Sequence, residues 1–309
     1  MESALSVFLS FGSHSYLAPI ERVQILLQTK SCNNEALKRG IHFKGIFSTF
    51  SMIYKKEGFT SLWRGNSINV LKSINSVTIG YGLYNLINYL NPFYSDLPSA
   101  STTISKLGST LVAGLISSAM VFPIEVGRVR AAADFGPKNE RQFRGPFKAI
   151  SQIYKQNGWR HLFRGFVPSF LSIFAYRIGY FWSHEIVKRS RVQRFGGVLL
   201  SFVMTQMVMV GAFIISYPFT TITRKMIMMG GESPENDKGD SKGKKRMTAF
   251  RRIYYSSTMD CVKKTFAEEG MKGFYQGGLC QFGKTILSAA IVSISNEIQG
   301  GGLMRNFKY

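Results

Sequence analysis

Four long stretches of this 309-residue chain contain no Asp, Glu, Lys or Arg at all: 3–20, 73–95, 107–124 and 195–223. A helix needs about 20 mostly apolar residues to cross a bilayer, so each stretch has the length of a membrane span. Two more segments, 165–188 and 277–299, are largely apolar but carry a cation near the middle, Arg177 and Lys284. Six spans are therefore expected. All are threaded with Ser, Thr, Gly, Asn and Gln, which suits helices with one face to lipid and one to a polar cavity. Charge sharpens the reading. The net charge is +22, and most of the basic residues lie in 22–65, 124–165 and 219–276, each between an odd span and the next even one. These three loops share one side of the membrane, the side that retains Lys and Arg. A hydrophobic fraction of 45% excludes a disordered basic tail. Three dispersed cysteines and four dispersed histidines give no disulfide framework and no metal cluster. The apolar but non-basic N-terminus predicts no cleaved leader.

The chain repeats itself three times. Pro19 in YLAPIERVQILLQ, Pro123 in VFPIEVGRVRAAAD and Pro218 in SYPFTTITRKMIMM recur at about 100 residues and are expected to end the odd spans. Downstream of each come a Gly (Gly58, Gly158, Gly270) and then an aromatic–x–Gly triplet: Trp63-Arg64-Gly65, Phe163-Arg164-Gly165, Tyr275-Gln276-Gly277. Repeat boundaries are expected at 1–100, 101–196 and 197–309, with a flexible polar insert near 230–243 in the third.

Lys72 and Lys284 each lie nine residues after the triplet aromatic, and Ser172 takes the same offset in the second repeat. At about 1.5 Å per residue these positions reach roughly 13 Å into the membrane. A cation there faces a watery path, so the expectation is a central anion site, and an anion with a stackable base would meet Tyr176 or Tyr180. Gly278–Thr285 matches the phosphate-loop pattern GxxxxGK[ST], but no strand precedes it, so no such loop is expected.

The pattern P-x-[DE]-x-x-[KR] with [DE]-G-x4-[aromatic]-[KR]-G, three times over, resembles the mitochondrial carrier family, and within it most of all the ADP/ATP carriers. The resemblance implies an all-α membrane protein: six transmembrane helices in a three-repeat, pseudo-threefold carrier barrel with short matrix helices, multi-pass in the mitochondrial inner membrane. It implies a transporter rather than an enzyme, with no cofactor, no metal and no nucleic-acid partner, working by alternating access on an anionic solute such as ADP or ATP. It places substrate contacts on His14, Lys72, Ser172, Ile173, Arg177, Arg224 and Lys284, to which the stacking argument adds Tyr176 and Tyr180. It places a matrix gate on Glu21, Arg128 and Glu125. Glu21 is expected to meet Arg128, Glu125 to face neutral Thr223, and Thr220 to face Gln24. A cytoplasmic gate is reduced to Glu185 and Lys188. Cardiolipin is implied at Gly45, Trp63, Arg64 and Gly65 and at Gly145, Phe163, Arg164 and Gly165, with a poorer site in the third repeat. The thinned gates suggest a rival reading, a transport-degenerate accessory subunit of a respiratory complex.

Overall fold

The computed structural model describes residues 2–33, 36–37, 40–69, 82, 86, 89, 99–137, 141–143, 145–189, 198–229 and 255–298. Side chains are described for these except at 2–14, 99–111, 180–189, 198–202, 205 and 289–298. Among the described residues the regular structure is helical, with no strand. The long helices are α1 (Glu2–Gln28), α3 (Ser99–Ala133), α6 (Phe166–Arg189), α7 (Val198–Met229) and α9 (Gly278–Ile298). Short ones lie between them: α2 (Ile46–Glu57), α4 (Pro146–Asn157), α5 (Trp159–Leu162) and α8 (Thr258–Phe274). The second predicted span, 73–95, falls almost wholly outside the described residues, as does the insert at 230–243. Two windows are long and apolar enough to cross a membrane, Val112–Ala133 and Gln206–Met229.

The prolines do not end the odd helices. Pro19, Pro123 and Pro218 lie inside α1, α3 and α7, which run on for about ten residues. A helix interior survives a proline when the freed backbone groups are met by neighbouring helices. Here the extensions are the best-buried parts of the chain, including Val23 to Thr29, Val126 to Ala133 and Thr221 to Met229. They form a loop end, where α2, α4 and α8 lie across them. By contrast α3 and α7 expose apolar side chains higher up, among them Met120 and Met207, the latter 66% exposed.

The repeat is legible in the backbone. Gly58, Gly158 and Gly270 all have positive φ (90°, 78° and 63°), as do Gly65, Gly165 and Gly277 (87°, 94° and 74°). These left-handed turns, open mainly to glycine, break the chain between a surface helix and the next long helix. Each surface helix buries a small stripe, Thr49 and Ile53, Ala149 and Ile153, or Cys261 and Thr265. Each exposes large apolar groups, Phe47, Phe147 and Phe266 among them. The GxxxxGKT match is helical throughout, inside α9, so it makes no phosphate loop.

Helices α6 and α7 cross closely. A Cβ on Gly179 would stand 2.9 Å from Ala212 Cα, the small-residue contact that lets membrane helices approach. Gly127 in α3 is pressed harder, since its Cβ would meet Ile150 Cγ1 at 2.5 Å and Pro146 O at 2.7 Å.

Candidate functional site

The proline-motif extensions converge on one carboxylate. Glu21 of α1 takes Arg128 Nη1 of α3 at 2.9 Å on Oε1, and Lys284 Nζ of α9 lies 3.5 Å from the same oxygen. Its other oxygen accepts from Asn69 Nδ2 at 2.9 Å, within the helical residues 66–69. Glu21 is thus a hub for the first, second, third and last long segments. The expected Glu21–Arg128 pair is present.

The other two gate positions bond elsewhere. Glu125 takes Arg128 of its own helix, Oε1 to Nη2 at 2.5 Å and Oε2 to Nε at 2.9 Å. A carboxylate beside a guanidinium fork gains two charge-assisted bonds, and a threonine hydroxyl offers nothing comparable. Thr223 bonds back to Phe219 O at 2.8 Å. Thr220 does not bond to Gln24. Its hydroxyl pairs with Ser172 Oγ of α6 at 2.7 Å, a partner of matching strength one helix away. Gln24 is buried beside Gly277, whose Cβ would stand 3.3 Å from Gln24 Cγ and from Tyr217 Oη.

Of the proposed contact residues, Ser172, Ile173, Tyr176 and Arg177 are half-buried along α6. The Arg177 guanidinium lies against α3 where Gly114 leaves room, 3.5 to 3.7 Å from a Cβ built there. Tyr176 is turned to α7, its hydroxyl on Met209 Sδ at 3.0 Å. Arg224 sits deeper than a free contact residue would. It is 6% exposed and donates to Gln28 Oε1 of α1, and Gln28 Nε2 reaches Thr221 Oγ1 at 3.1 Å. The side chains of His14, Tyr180, Glu185 and Lys188, and the whole of Lys72, lie outside the described residues.

The triplet arginines are turned inward. Arg64 donates Nη1 to Asp134 O at 2.7 Å and Nη2 to Phe143 O at 2.6 Å, and pairs with Asp134 Oδ2 at 2.7 Å. Arg164 reaches Met229 O at 3.2 Å and also Tyr255 O. Both guanidiniums therefore clasp the next repeat. An anion at these triplets would be left with backbone N–H groups at Gly65 and Gly165 and at the extended N-cap Gly145 of α4, since the Gly45 N–H of α2 donates to Ser48 Oγ at 3.2 Å. Trp63 Nε1 donates to Ser15 O at 2.8 Å, and Phe163 packs with Phe122 and Phe166.

Several supporting residues were not singled out from the sequence. Arg22 and Glu57 form a 2.6 Å ion pair with both side chains at most 1% exposed. Arg22 also donates to Ser61 O at 2.6 Å and Ala132 O at 3.2 Å. Lys225 pairs with Glu269 at 2.9 Å. The available signal was charge inside an otherwise apolar helix extension, since such a charge is buried only with a partner. Outside the spans, burial raises the Cys32 thiol to about 12 and Cys261 to about 11.

The sequence pattern of the mitochondrial carrier proteins matches residues 3–91, 99–195 and 197–304. A mitochondrial substrate carrier family protein of Dictyostelium discoideum is 32% identical, over 93% of this chain and 88% of its own. The ADP/ATP translocase 4 of Bos taurus is 29% identical, over 93% of this chain and 84% of its own. The ADP/ATP translocase 3 of Homo sapiens is also 29% identical, covering 93% and 92%. Three matched repeats, the same two left-handed glycine turns in each and likeness from end to end agree: this chain belongs to the mitochondrial carrier family.

Proposed function

We propose that this chain exchanges adenine nucleotides, or a closely similar anionic solute, across the mitochondrial inner membrane by alternating access. The observation that carries the reading is the end-to-end likeness to proteins named ADP,ATP carriers and ADP/ATP translocases. The chemistry of the site supports it. Lys284 and Arg177 offer cations from α9 and α6, with Lys72 expected beside them, and Ser172 and Ile173 line the same level. An anion held there replaces water at positions where an uncompensated cation is costly. Tyr180 remains the aromatic expected to meet a base, since Tyr176 is engaged with Met209. Lysine at positions 72 and 284 grips phosphate as a point charge without the bidentate geometry of arginine, so affinity is expected to depend strongly on ionic strength.

Anionic lipid, cardiolipin above all, fits the helix N-termini at Gly45, Gly65, Gly145 and Gly165, where backbone N–H groups attract phosphate. The exposed aromatic faces of α2, α4 and α8 suit the headgroup level of a bilayer. No observation favours the rival reading of an accessory respiratory subunit.

The test is uptake of labelled ADP into ATP-loaded liposomes that contain cardiolipin and the purified protein. Exchange above empty liposomes, lost in Lys284→Gln and Arg177→Gln, is the expected result. Folded protein that exchanges no ADP, ATP or other nucleotide would overturn it.

A further inference from the structure

The three seams between repeats at the loop end are built on one plan, and the third departs from it. At the first-to-second seam Arg64 clasps Asp134 O and Phe143 O. At the second-to-third seam Arg164 clasps Met229 O and Tyr255 O. At the third-to-first seam the same position is Gln276, whose amide turns back to Glu269 of its own repeat at 2.8 Å. The gate positions of this seam are neutral as well, and Thr220 has left Gln24 for Ser172. The remaining cross-seam bonds run between Arg224, Gln28 and Thr221. Among the described residues one ion pair crosses here, Lys284 with Glu21 at 3.5 Å.

That pair is poised for exchange. Glu21 keeps Arg128 at 2.9 Å and Asn69 at 2.9 Å when Lys284 leaves, so its carboxylate is never stranded. Lys284 has no second carboxylate among the described residues, and its side chain is partly exposed. An anion in the cavity competes directly for its ammonium. We infer that Lys284 is the gate cation of the third-to-first seam, standing in for the missing charges at Gln24 and Thr220, and that this seam parts first when an anion claims Lys284. The first clause stands on geometry alone; the second rests on the proposed anion transport. The other two seams, each held by an arginine clasp, move together behind it.

The experiment is pulsed electron–electron distance measurement on the full-length protein in cardiolipin liposomes. Spin labels go on cysteines introduced in pairs at Ser51, Ser151 and Lys263, exposed and equivalent positions on α2, α4 and α8. The three native cysteines are buried and are replaced by serine in the labelled protein. Without ligand, Lys284→Gln should broaden the 51–263 distribution outward by a few ångström and leave 51–151 and 151–263 unchanged, while Lys284→Arg should leave all three narrow. Installing a bridge with Gln24→Lys and Thr220→Asp should restore a narrow 51–263 distribution in the Lys284→Gln background, which a merely misfolded variant would not allow. Saturating ADP should broaden 51–263 in the parent protein and add nothing in Lys284→Gln. An unchanged 51–263 distance in Lys284→Gln, or equal broadening of all three, overturns the gate assignment. ADP that opens another seam first overturns the order. If ADP moves no distance in the parent protein while Lys284→Gln broadens 51–263, the gate assignment stands and the nucleotide reading falls.

Discussion

The seam between the first and second repeats and the seam between the third and first use the same helix ends with opposite chemistry. At the former, Arg22, Arg64 and Arg128 meet Glu57, Asp134 and Glu21, and Glu57 Oε1 also accepts from Gly136 N at 2.6 Å. At the latter, amides and hydroxyls face one another, Arg224 donates to the neutral Gln28, and Lys284 makes the one ion pair among the described residues. The difference teaches why a buried ionic network is kept in one place and discarded in another. A buried charge is tolerated only with a partner, so partners are lost together or not at all. Gln24 and Thr220 are neutral as a pair. Glu125 takes its charge partner, Arg128, from its own helix.

The largest effect should come from stranding a charge at the ionic seam. Glu57→Ala leaves Arg22 buried without its carboxylate and should cost about 3–5 kcal/mol, read as the thermal unfolding midpoint in detergent; a loss near zero would mean the seam does not depend on that pair. Next, Arg64→Gln gives the first seam the chemistry of the third. Losing two carbonyl bonds and an ion pair should cost roughly 2–3 kcal/mol, whereas Gln276→Arg at the third seam should gain about 1 kcal/mol or less. Equal and opposite effects would erase the asymmetry. Gly127→Ala puts a methyl 2.5 Å from Ile150 Cγ1 and should cost roughly 1–3 kcal/mol by overpacking, with no such penalty for Gly45→Ala, where the space is open.

Smaller again is the installation of charge at the neutral seam. Gln24→Lys or Thr220→Asp alone should each lower the unfolding midpoint, and the two together should recover most of it, a coupling of about 1 kcal/mol in a double-mutant cycle. Additive losses would mean the two side chains never meet. The smallest effect lies on the surface. Lys264 at 2.9 Å and hydrogen bonds from Ser256 hold the Asp260 carboxyl below its ordinary range. A depressed carboxyl stabilises the fold above its unfolded pKa and loses that contribution as pH falls through the folded value. Amide protection in the first turn of α8, taken relative to the intrinsic exchange rate at each pH, should therefore fall as the solution is acidified below the usual carboxylate range, and Asp260→Asn should abolish that pH dependence.

Much of this was legible from residues alone. Charge-free stretches of spanning length, basic loops on one side and three spaced Pro, Gly and aromatic–x–Gly marks gave the class and the repeat, because spans and left-handed turns are local demands that a chain must meet with particular residue types. The Glu21–Arg128 pair followed from the family resemblance, which joins the acid of one proline motif to the base of the next. The prolines misled: alone they predict helix ends, but packed among Val126, Met226 and their neighbours they sit inside continuous helices.

The sequence by itself determined where charge can exist in this chain, and therefore which segments can enter a membrane and which positions must be paired. Only the tertiary structure decided who pairs with whom. Arg64 reads as a lipid ligand until Asp134 and Phe143 O stand 2.6 to 2.7 Å away. Thr220 reads as a partner for Gln24 until Ser172 is found bonded to it, and Lys284 reads as a substrate contact alone until Glu21 is found beside it. The physical reason is that hydrogen bonds and ion pairs are decided within about an ångström, a scale that spacing along a chain does not carry.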